Sequence, residues 1–306
     1  MPNFALAVDI GATKAALGIV TEKFQILDKV EVPTGAGTEI WRDIEGASKS
    51  LLSKTDGNCI GVGIGSAGPL HLDDGQISPV NIPNWRKFPI VNKFASLVGT
   101  PNVVLHGDAM ALAHAEYRLG AGQDANNMLG MVVSTGIGGG LILGGKLFTG
   151  VTGNASYFGH HTISFEGKQC TCGRIGCVET YASGPKMVEH AISIGWQSEK
   201  HDFRKLAEDA RAGDKFAIQS IDRGTLALAN AIVNVLGILD INTVVIGGGV
   251  SQAGDIYWNP LLEEIKDEAK YQNFLKDLEI MPAKLQRDAG LIGASLAISD
   301  YGVIYE

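Results

Sequence analysis

The amino-acid sequence contains no apolar run as long as the ~20 residues that span a membrane. Its first residues, Met1-Pro2-Asn3-Phe4, lack the charged and then apolar segments of a secretory signal. It has no basic run, and its net charge of −8 would repel a polyanion. We therefore expect a cytoplasmic protein whose partners include neither a membrane nor a nucleic acid.

Cysteine is scarce, with four residues among 306. Cys59 lies in an apolar segment, and we expect it to be a small buried residue. Cys170, Cys172 and Cys177 are crowded into one loop, which favours metal binding over disulfide pairing. Three thiolates and one imidazole make a tetrahedral set with no open position, and this pattern predicts a structural zinc ion. The alternative is that the thiols are reduced and free.

The length of the chain exceeds the usual span of one hydrophobic core, so we expect two lobes with a cleft between them. Strand-like and helix-like segments alternate, which is typical of the α/β class. Periodicity is lost at residues 120–123, and we place the boundary there. Residues 1–118 then form a small N-terminal α/β lobe, and residues 119–289 form a large α/β lobe. The predicted strands are residues 4–10, 15–20, 60–64, 103–106, 128–134 and 243–246, and the predicted helices are residues 39–53, 109–119 and 180–194, with a last helix that begins near residue 288.

Three glycine-rich turns follow predicted strands, at residues 11–14, 135–140 and 247–249. Glycine at a strand end lets backbone N–H groups approach a phosphate, because no Cβ intervenes. None of the turns has the Walker or dinucleotide-binding pattern, and each one alone is equally an ordinary tight turn. Together they predict a phosphate site, at which Asp9 can hold Mg²⁺ through water and Thr13 can donate to a phosphate oxygen.

Asp108 is the candidate catalytic base, since phosphoryl transfer needs one carboxylate to accept the proton of the attacking hydroxyl. It follows a predicted strand and precedes a predicted helix, which places it at a strand end that faces a cleft. The alternative is a structural role as the N-cap of that helix.

Essentially the whole chain resembles the ROK family of bacterial sugar kinases and related repressors, within the actin-like ATPase (ribonuclease H-like) fold. Gly159-His160 followed by Cys170-Thr171-Cys172-Gly173-Arg174-Ile175-Gly176-Cys177-Val178-Glu179 matches the family's zinc signature. Residues 9–14 and 134–140 resemble its two phosphate motifs, and residues 247–249 resemble its adenosine motif.

The resemblance implies a two-lobed fold with a structural zinc loop, in which a C-terminal helix of about residues 290–306 packs back on the small lobe. It implies ATP, Mg²⁺ and Zn²⁺ as cofactors, a hexose as substrate and a homodimer. It favours His160 over His161 as the fourth zinc ligand, and it supports Asp108 as the base. The expected ATP and phosphate contacts are Asp9, Gly11, Ala12, Thr13, Lys14, Thr135, Gly136, Gly138, Gly247, Gly248 and Gly249, and the expected sugar contacts are Gly68, Asn84, Asp108, Tyr157, His160 and Glu179.

Two positions depart from the family pattern. Tyr157 stands where the family usually has glutamate, and Gly107 stands where it usually has asparagine before the catalytic aspartate. Tyr157 can still bond a hydroxyl or pack against a sugar ring, and Gly107 leaves room for water or a bulkier sugar. Two residues of these segments also have structural alternatives, since Trp85 beside Asn84 can pack between the lobes and Glu179 can simply begin a helix.

The sequence thus predicts an ATP-dependent kinase that phosphorylates a hexose at O6, of the glucokinase type that makes glucose 6-phosphate. N-acetylmannosamine or N-acetylglucosamine kinase is the alternative within the same class. A sugar-binding protein without catalysis is another, against which the intact Asp9 turn and Asp108 argue. A family repressor would carry an added DNA-binding domain, and the residues before Asp9 are too few for a helix-turn-helix.

Overall fold

The computed structural model describes residues 2–35 and 39–301 of the protein. Two five-stranded sheets carry the fold, and helices cover them, as the α/β prediction required. The strands are β1 (Asn3–Ile10), β2 (Lys14–Thr21), β3 (Ile26–Pro33), β4 (Asn58–Ser66), β5 (Leu70–His71), β6 (Gln76–Ile77), β7 (Val103–Gly107), β8 (Met128–Val133), β9 (Ile137–Leu143), β10 (Lys146–Phe148), β11 (Thr243–Gly247) and β12 (Glu279–Pro282). The helices are α1 (Ile40–Lys54), α2 (Ile90–Val98), α3 (Asp108–Leu119), α4 (Glu179–Ala182), α5 (Gly184–Ile194), α6 (Phe203–Arg211), α7 (Lys215–Leu239), α8 (Asp255–Ala269) and α9 (Ala289–Tyr301).

The N-terminal sheet has the strand order β3-β2-β1-β4-β7. Strands β1, β2 and β3 are antiparallel neighbours, whereas β1, β4 and β7 run parallel, so the carboxyl ends of these three meet at one edge. The predicted hairpin at residues 4–20 is confirmed, and it is closed by a hydrogen bond from the backbone N–H of Gly11 to the carbonyl of Lys14. The short strands β5 and β6 pair with each other in a separate two-stranded sheet.

The C-terminal sheet repeats this arrangement with the order β10-β9-β8-β11-β12. Strands β8, β9 and β10 are antiparallel neighbours, and β8, β11 and β12 run parallel. The second glycine-rich turn joins β8 to β9, at the position that the first turn holds between β1 and β2. Both glycine-rich turns therefore lie at equivalent places in two similar sheets.

Helices α3 and α9 lie between the sheets and pack against each other. Helix α3 contacts β8 and β9 of the C-terminal sheet, whereas α9 contacts β1 and β4 of the N-terminal sheet. A Cβ atom at Gly293 would lie 1.8 Å from the carbonyl oxygen of Ala111, so only glycine permits this approach of the two helix backbones. The predicted C-terminal helix extends to Tyr301, and residues 302–306 of that prediction lie outside the described residues.

The predicted single helix over residues 180–194 is wrong, because the chain forms α4 and α5 with Ser183 in extended conformation between them. Pro185 lies in the first turn of α5, where its missing backbone N–H costs nothing. A continuous helix over residues 180–194 would need that N–H as a hydrogen-bond donor. One helix among the described residues, α7, is long and apolar enough to cross a membrane, and 56% of its most apolar 18-residue stretch is buried within the fold. It packs against α4, α5, α6 and α8 as a core helix.

Candidate active site

Asp9 and Asp108 lie at the same edge of the N-terminal sheet. Asp9 is near the end of β1, and Asp108 follows the end of β7, with β4 between the two strands. A Cβ atom at Gly65 of β4 would lie 3.7 Å both from Asp9 Oδ1 and from the Cα of Asp108. The carboxyl ends of parallel strands therefore bring the predicted Mg²⁺-binding carboxylate and the predicted base to one place, as expected for an α/β cleft.

The Asp9 carboxylate is held against the beginning of α9. A Cβ atom at Gly290 would lie 2.2 Å from Asp9 Oδ2, so the helix backbone approaches the carboxylate closely because residue 290 has no side chain. Burial, and next the negative charge of Asp108, raise the pKa of Asp9 to about 7, although Lys14 opposes the shift. A cation would relieve this crowding of negative charge, which fits the oxygen-rich environment that Mg²⁺ prefers.

Asp108 begins helix α3, and Gly107 occupies the N-cap position, so the alternative in which Asp108 is the N-cap residue is wrong. Its Oδ1 accepts a hydrogen bond of 2.8 Å from the backbone N–H of Ala109. Burial raises the pKa of Asp108, and the charge of Glu179 adds to the shift, while the hydrogen bond from Ala109 opposes it. A buried carboxylate with a raised pKa is a stronger proton acceptor than an ordinary aspartate.

Glu179 connects the second glycine-rich turn to the zinc loop. Its Oε2 accepts a hydrogen bond of 2.8 Å from the backbone N–H of Ile137. A Cβ atom at Gly136 would lie 2.6 Å from the same oxygen, so a larger residue there would displace the carboxylate from the turn. The turn is also anchored by α5, since Gly184 donates its backbone N–H to the carbonyl of Ser134 at 2.9 Å. Glu179 does begin a helix, α4, but its carboxylate serves the turn.

Four side chains form a cluster with the geometry of a zinc site. The ligand atoms of His160, Cys170, Cys172 and Cys177 all lie within 4.8 Å of one another. The Sγ atoms of Cys172 and Cys177 are 3.7 Å apart, and Cys170 Sγ is 3.4 Å from His160 Nδ1. Tetrahedral zinc places two sulfurs about 3.8 Å apart and a sulfur and a nitrogen about 3.6 Å apart. The four residues therefore have the donor types and the spacing that a tetrahedral zinc site needs.

The two neighbouring histidines have different roles in this arrangement. Burial lowers the pKa of His160, which favours the neutral imidazole that binds a metal. His161 lies outside the cluster, with its Nδ1 bonded to the carbonyl of Phe158 at 2.7 Å, as the sequence analysis expected of a bystander. Cys59 is remote from the loop and half-buried against the N-terminal core, so it is less enclosed than predicted.

A cavity of about 380 Å³ opens between the strand ends and the two glycine-rich turns. Its size falls within the range of small-molecule sites. Most of the predicted site residues line it, from all three nucleotide motifs and from the expected sugar site. They are Asp9, Gly11, Ala12, Thr13, Lys14, Gly68, Asp108, Thr135, Gly136, Gly138, Tyr157, His160, Glu179 and Gly248.

Three predicted contacts do not line the cavity. Asn84 is exposed, because its neighbours Ile82 and Trp85 turn into the N-terminal core, where Trp85 stacks on Phe88 with ring centroids 4.1 Å apart. Trp85 thus has a packing role, as its structural alternative expected. It packs within the N-terminal core and not between the lobes. Gly247 and Gly249 flank the cavity-lining Gly248, which has a φ of +96° and turns the chain at the end of β11.

Several cavity residues were missed by the sequence analysis. Asn81 belongs to the same segment as Asn84 and is the asparagine that reaches the cavity. Arg287 brings a second cation beside Lys14, whose own charge is paired with Glu31. Asn154 also lines the cavity, and no motif in the sequence marked it.

Comparisons with known proteins agree with this geometry. The model of the ROK family matches residues 5–300. The chain is 34% identical to a glucokinase of Thermotoga maritima over 98% of its own length and 99% of the relative's, and 35% identical to an N-acetylmannosamine kinase of Escherichia coli over 95% and 97%. It is also similar to the crystal structure of a ROK family glucokinase from Streptomyces griseus in complex with glucose and AMPPNP, with a TM-score of 0.83, 32% identity and coverage of 95% and 98% of the two chains.

Proposed function

The chain belongs to the ROK family, and on this premise we propose that it is an ATP-dependent sugar kinase of the glucokinase type, which phosphorylates a hexose at O6. The observation that carries the proposal is the meeting of Asp9, Asp108 and Glu179 in one cavity with the glycine-rich turns. This set provides the parts that phosphoryl transfer needs, namely a metal-binding carboxylate, backbone donors for phosphates and a proton acceptor.

In the proposed reaction, the sugar lies beside Asp108 and Glu179, and the triphosphate lies along the first two turns and Gly248. Asp108 accepts the proton of the sugar hydroxyl as its oxygen attacks the γ-phosphorus and the bond to the β-phosphate oxygen breaks. The raised pKa of Asp108 makes it an effective acceptor once it is ionised. The neutral amides of the turns hold the phosphates without adding a competing base.

Two metal ions belong to the proposal. Asp9 would hold Mg²⁺ through water, and the ion would neutralise charge on the phosphates. His160, Cys170, Cys172 and Cys177 would hold zinc in a closed site whose part is structural. The cytoplasmic location and the homodimer remain predictions.

The identity of the sugar rests on residues around the cavity. We propose Gly68, Asn81, Tyr157, His160 and Glu179 as contacts, with Asn81 in place of the predicted Asn84. Tyr157 is 43% exposed and stacks obliquely on His160 at 4.4 Å, so its phenol offers a ring face and a hydroxyl where a carboxylate would offer only an acceptor. N-acetylmannosamine is the second candidate, favoured by the likeness to N-acetylmannosamine kinases.

The test is ADP release with ATP and Mg²⁺ over a panel of glucose, mannose, fructose, N-acetylglucosamine and N-acetylmannosamine. We expect turnover with glucose or N-acetylmannosamine in the wild type and a turnover lower by about 100-fold or more with Asp108→Asn. Failure on every sugar, with intact fold and bound zinc, would overturn the kinase proposal and favour a sugar-binding protein. Equal turnover by Asp108→Asn would remove Asp108 from its role.

A further inference from the structure

We propose that Asn154 is a positioning residue for the sugar, because its side chain fastens the two walls of the cavity to each other beside the sugar site. The inference rests on the proposed sugar kinase function. Asn154 follows β10 of the C-terminal sheet, and its partner, Leu70, is in β5 next to the N-terminal sheet. Asn154 Oδ1 accepts from the backbone N–H of Leu70 at 2.8 Å, and Asn154 Nδ2 donates to the carbonyl of Leu70 at 3.0 Å.

The amide uses a donor and its acceptor on Leu70, as a neighbouring β-strand would, and Nδ2 also donates to the carbonyl of Thr152 in its own loop, at 3.0 Å. Leu70 pairs with Ile77 on the other side of its strand, which leaves its outward backbone groups for Asn154. An aspartate would keep only an acceptor and would place an oxygen against the carbonyl of Leu70, and an alanine would keep neither group. Asparagine is thus matched to the backbone that it faces.

Both ends of this link are anchored in packed parts of the fold. Leu70 is 4% exposed and belongs to the N-terminal core. The residue after Asn154, Ala155, packs beside α3 and the C-terminal sheet, and its backbone N–H donates to Thr149 at 3.1 Å. A second contact lies at the same crossing, since a Cβ at Gly153 would lie 2.2 Å from Leu72 Cδ1 and the leucine therefore rests on the glycine.

The link lies directly beside two proposed sugar contacts, one on each wall. A Cβ atom at Gly68 would lie 3.6 Å from Asn154 Oδ1 and 3.8 Å from Tyr157 Cε2. Gly68 is two residues before Leu70, and Tyr157 is three residues after Asn154. The two hydrogen bonds therefore fix the gap between Gly68 and Tyr157, which determines how tightly a sugar is held. The nucleotide contacts at Thr13 and Gly248 belong to other segments of the cavity wall.

The experiment compares the wild type with Asn154→Ala and Asn154→Asp in steady-state kinetics and in hydrogen exchange of the amide of Leu70. We expect the sugar KM to rise about ten-fold in both variants, because each loses at least one of two neutral hydrogen bonds, while the ATP KM changes less than two-fold. Exchange at Leu70 should be accelerated in Asn154→Ala with or without sugar. Asn127→Ala is the matched control, since Asn127 bonds the backbone of Gly144 within its own sheet and does not reach the cavity.

An unchanged exchange rate at Leu70 would show that the link does not exist in solution, whatever the enzyme's activity. Faster exchange with an unchanged sugar KM, or with an equal rise in both KM values, would limit Asn154 to a structural role. If the wild type phosphorylates no sugar, the proposed function fails and the positioning of a substrate fails with it. If the wild type is active and both Asn154 variants have the same sugar KM as the wild type, the kinase proposal stands and this inference alone is overturned.

Discussion

The Oε2 atom of Glu179 accepts a hydrogen bond from the backbone N–H of Ile137, at 2.8 Å. Glu179 lies two residues after the last cluster cysteine, Cys177, and Ile137 lies in the second glycine-rich turn. One carboxylate thus joins the zinc loop to the phosphate turn, while its charge raises the pKa of Asp108. Substitution of Glu179 and removal of zinc can separate these effects.

Glu179→Gln should keep the turn but change its electrostatics. Glutamine can still accept from Ile137, whereas the loss of the negative charge lowers the pKa of Asp108. We expect the acid limb of the kcat profile to move to lower pH in Glu179→Gln. Glu179→Ala should lose about ten-fold or more in kcat/KM, because the buried Ile137 donor is left unpaired. An acid limb that does not move in Glu179→Gln would show that its charge does not reach Asp108.

Zinc removal should lower activity through the same carboxylate. Without the metal the loop between His160 and Glu179 keeps only hydrogen-bonded links, such as the bridge between Thr162 and Cys177, and Glu179 is held less firmly at the turn. We expect metal analysis to find about one zinc per chain. We expect Cys170→Ser to bind no zinc, to melt at a lower temperature and to be less active. Cys59→Ser is the control. Cys59 does not belong to the cluster, so this variant should retain zinc. Full activity in protein shown to be free of metal would contradict the link.

Asp108→Asn should reduce kcat by about 10²–10⁴-fold, the usual contribution of a general base. Its amide oxygen can still accept from Ala109, so the fold and the binding of ATP should be unchanged. In the wild type, activity should be lost as the pH falls through the raised pKa of Asp108, at a higher pH than for an ordinary aspartate. Near-normal turnover by the variant, with the melting temperature of the wild type, would exclude Asp108 as the base.

Much of the site could be predicted because its parts are local in the chain. The three cysteines that fit zinc lie within a stretch of eight residues, and the glycine turns directly follow apolar strands, so spacing alone reveals them. Strand and helix signals in residues 4–20 and 109–119 were strong for the same reason. The contacts between distant segments left no such signal. Neither the bond between Glu179 and Ile137 nor that between Asn154 and Leu70 can be read from either segment alone, since tertiary packing brings them together.

The wrong or shifted predictions have local causes. The helix over residues 180–194 was expected from its apolar spacing, but Pro185 restarts the chain as a new helix. Asn84 was chosen from the right segment, but the packing of Trp85 and Ile82 turns it outward and leaves Asn81 to face the cavity. Periodicity identifies such segments without deciding which neighbour points inward.

Gly107→Asn tests whether this position selects the sugar. Gly107 has φ −66° and ψ 145°, which any residue can adopt, and the atoms nearest to a Cβ there belong to the side chain of Met110, at an ordinary contact distance of 3.5 Å. Asparagine is also preferred at the N-cap position, so the variant should be at least as stable as the wild type. We expect the ratio of kcat/KM values for N-acetylmannosamine and glucose to change by about ten-fold, as one added polar group allows. An unchanged ratio in a folded variant would show that residue 107 does not contact the sugar.

Asp9→Asn should stabilise the metal-free protein above neutral pH while it abolishes activity. The pKa of Asp9 in the fold is about 7, against 3.8 for an unperturbed aspartate, so the folded state binds more protons than the unfolded state between these values. Stability from this group is therefore lost as the pH rises from about 4 to about 7, since ionisation is penalised only in the fold.

The variant has no such penalty, and we expect its free energy of unfolding at about pH 8 to exceed that of the wild type by about 1–3 kcal/mol. The measurement is urea denaturation without added Mg²⁺ at about pH 4 and about pH 8, where the advantage of the variant should be small at the lower pH and full at the higher. Asp124→Asn, which removes the same charge from an exposed position, should show no such gain, and an equal gain in both variants would assign the effect to net charge instead of to the enclosed site of Asp9.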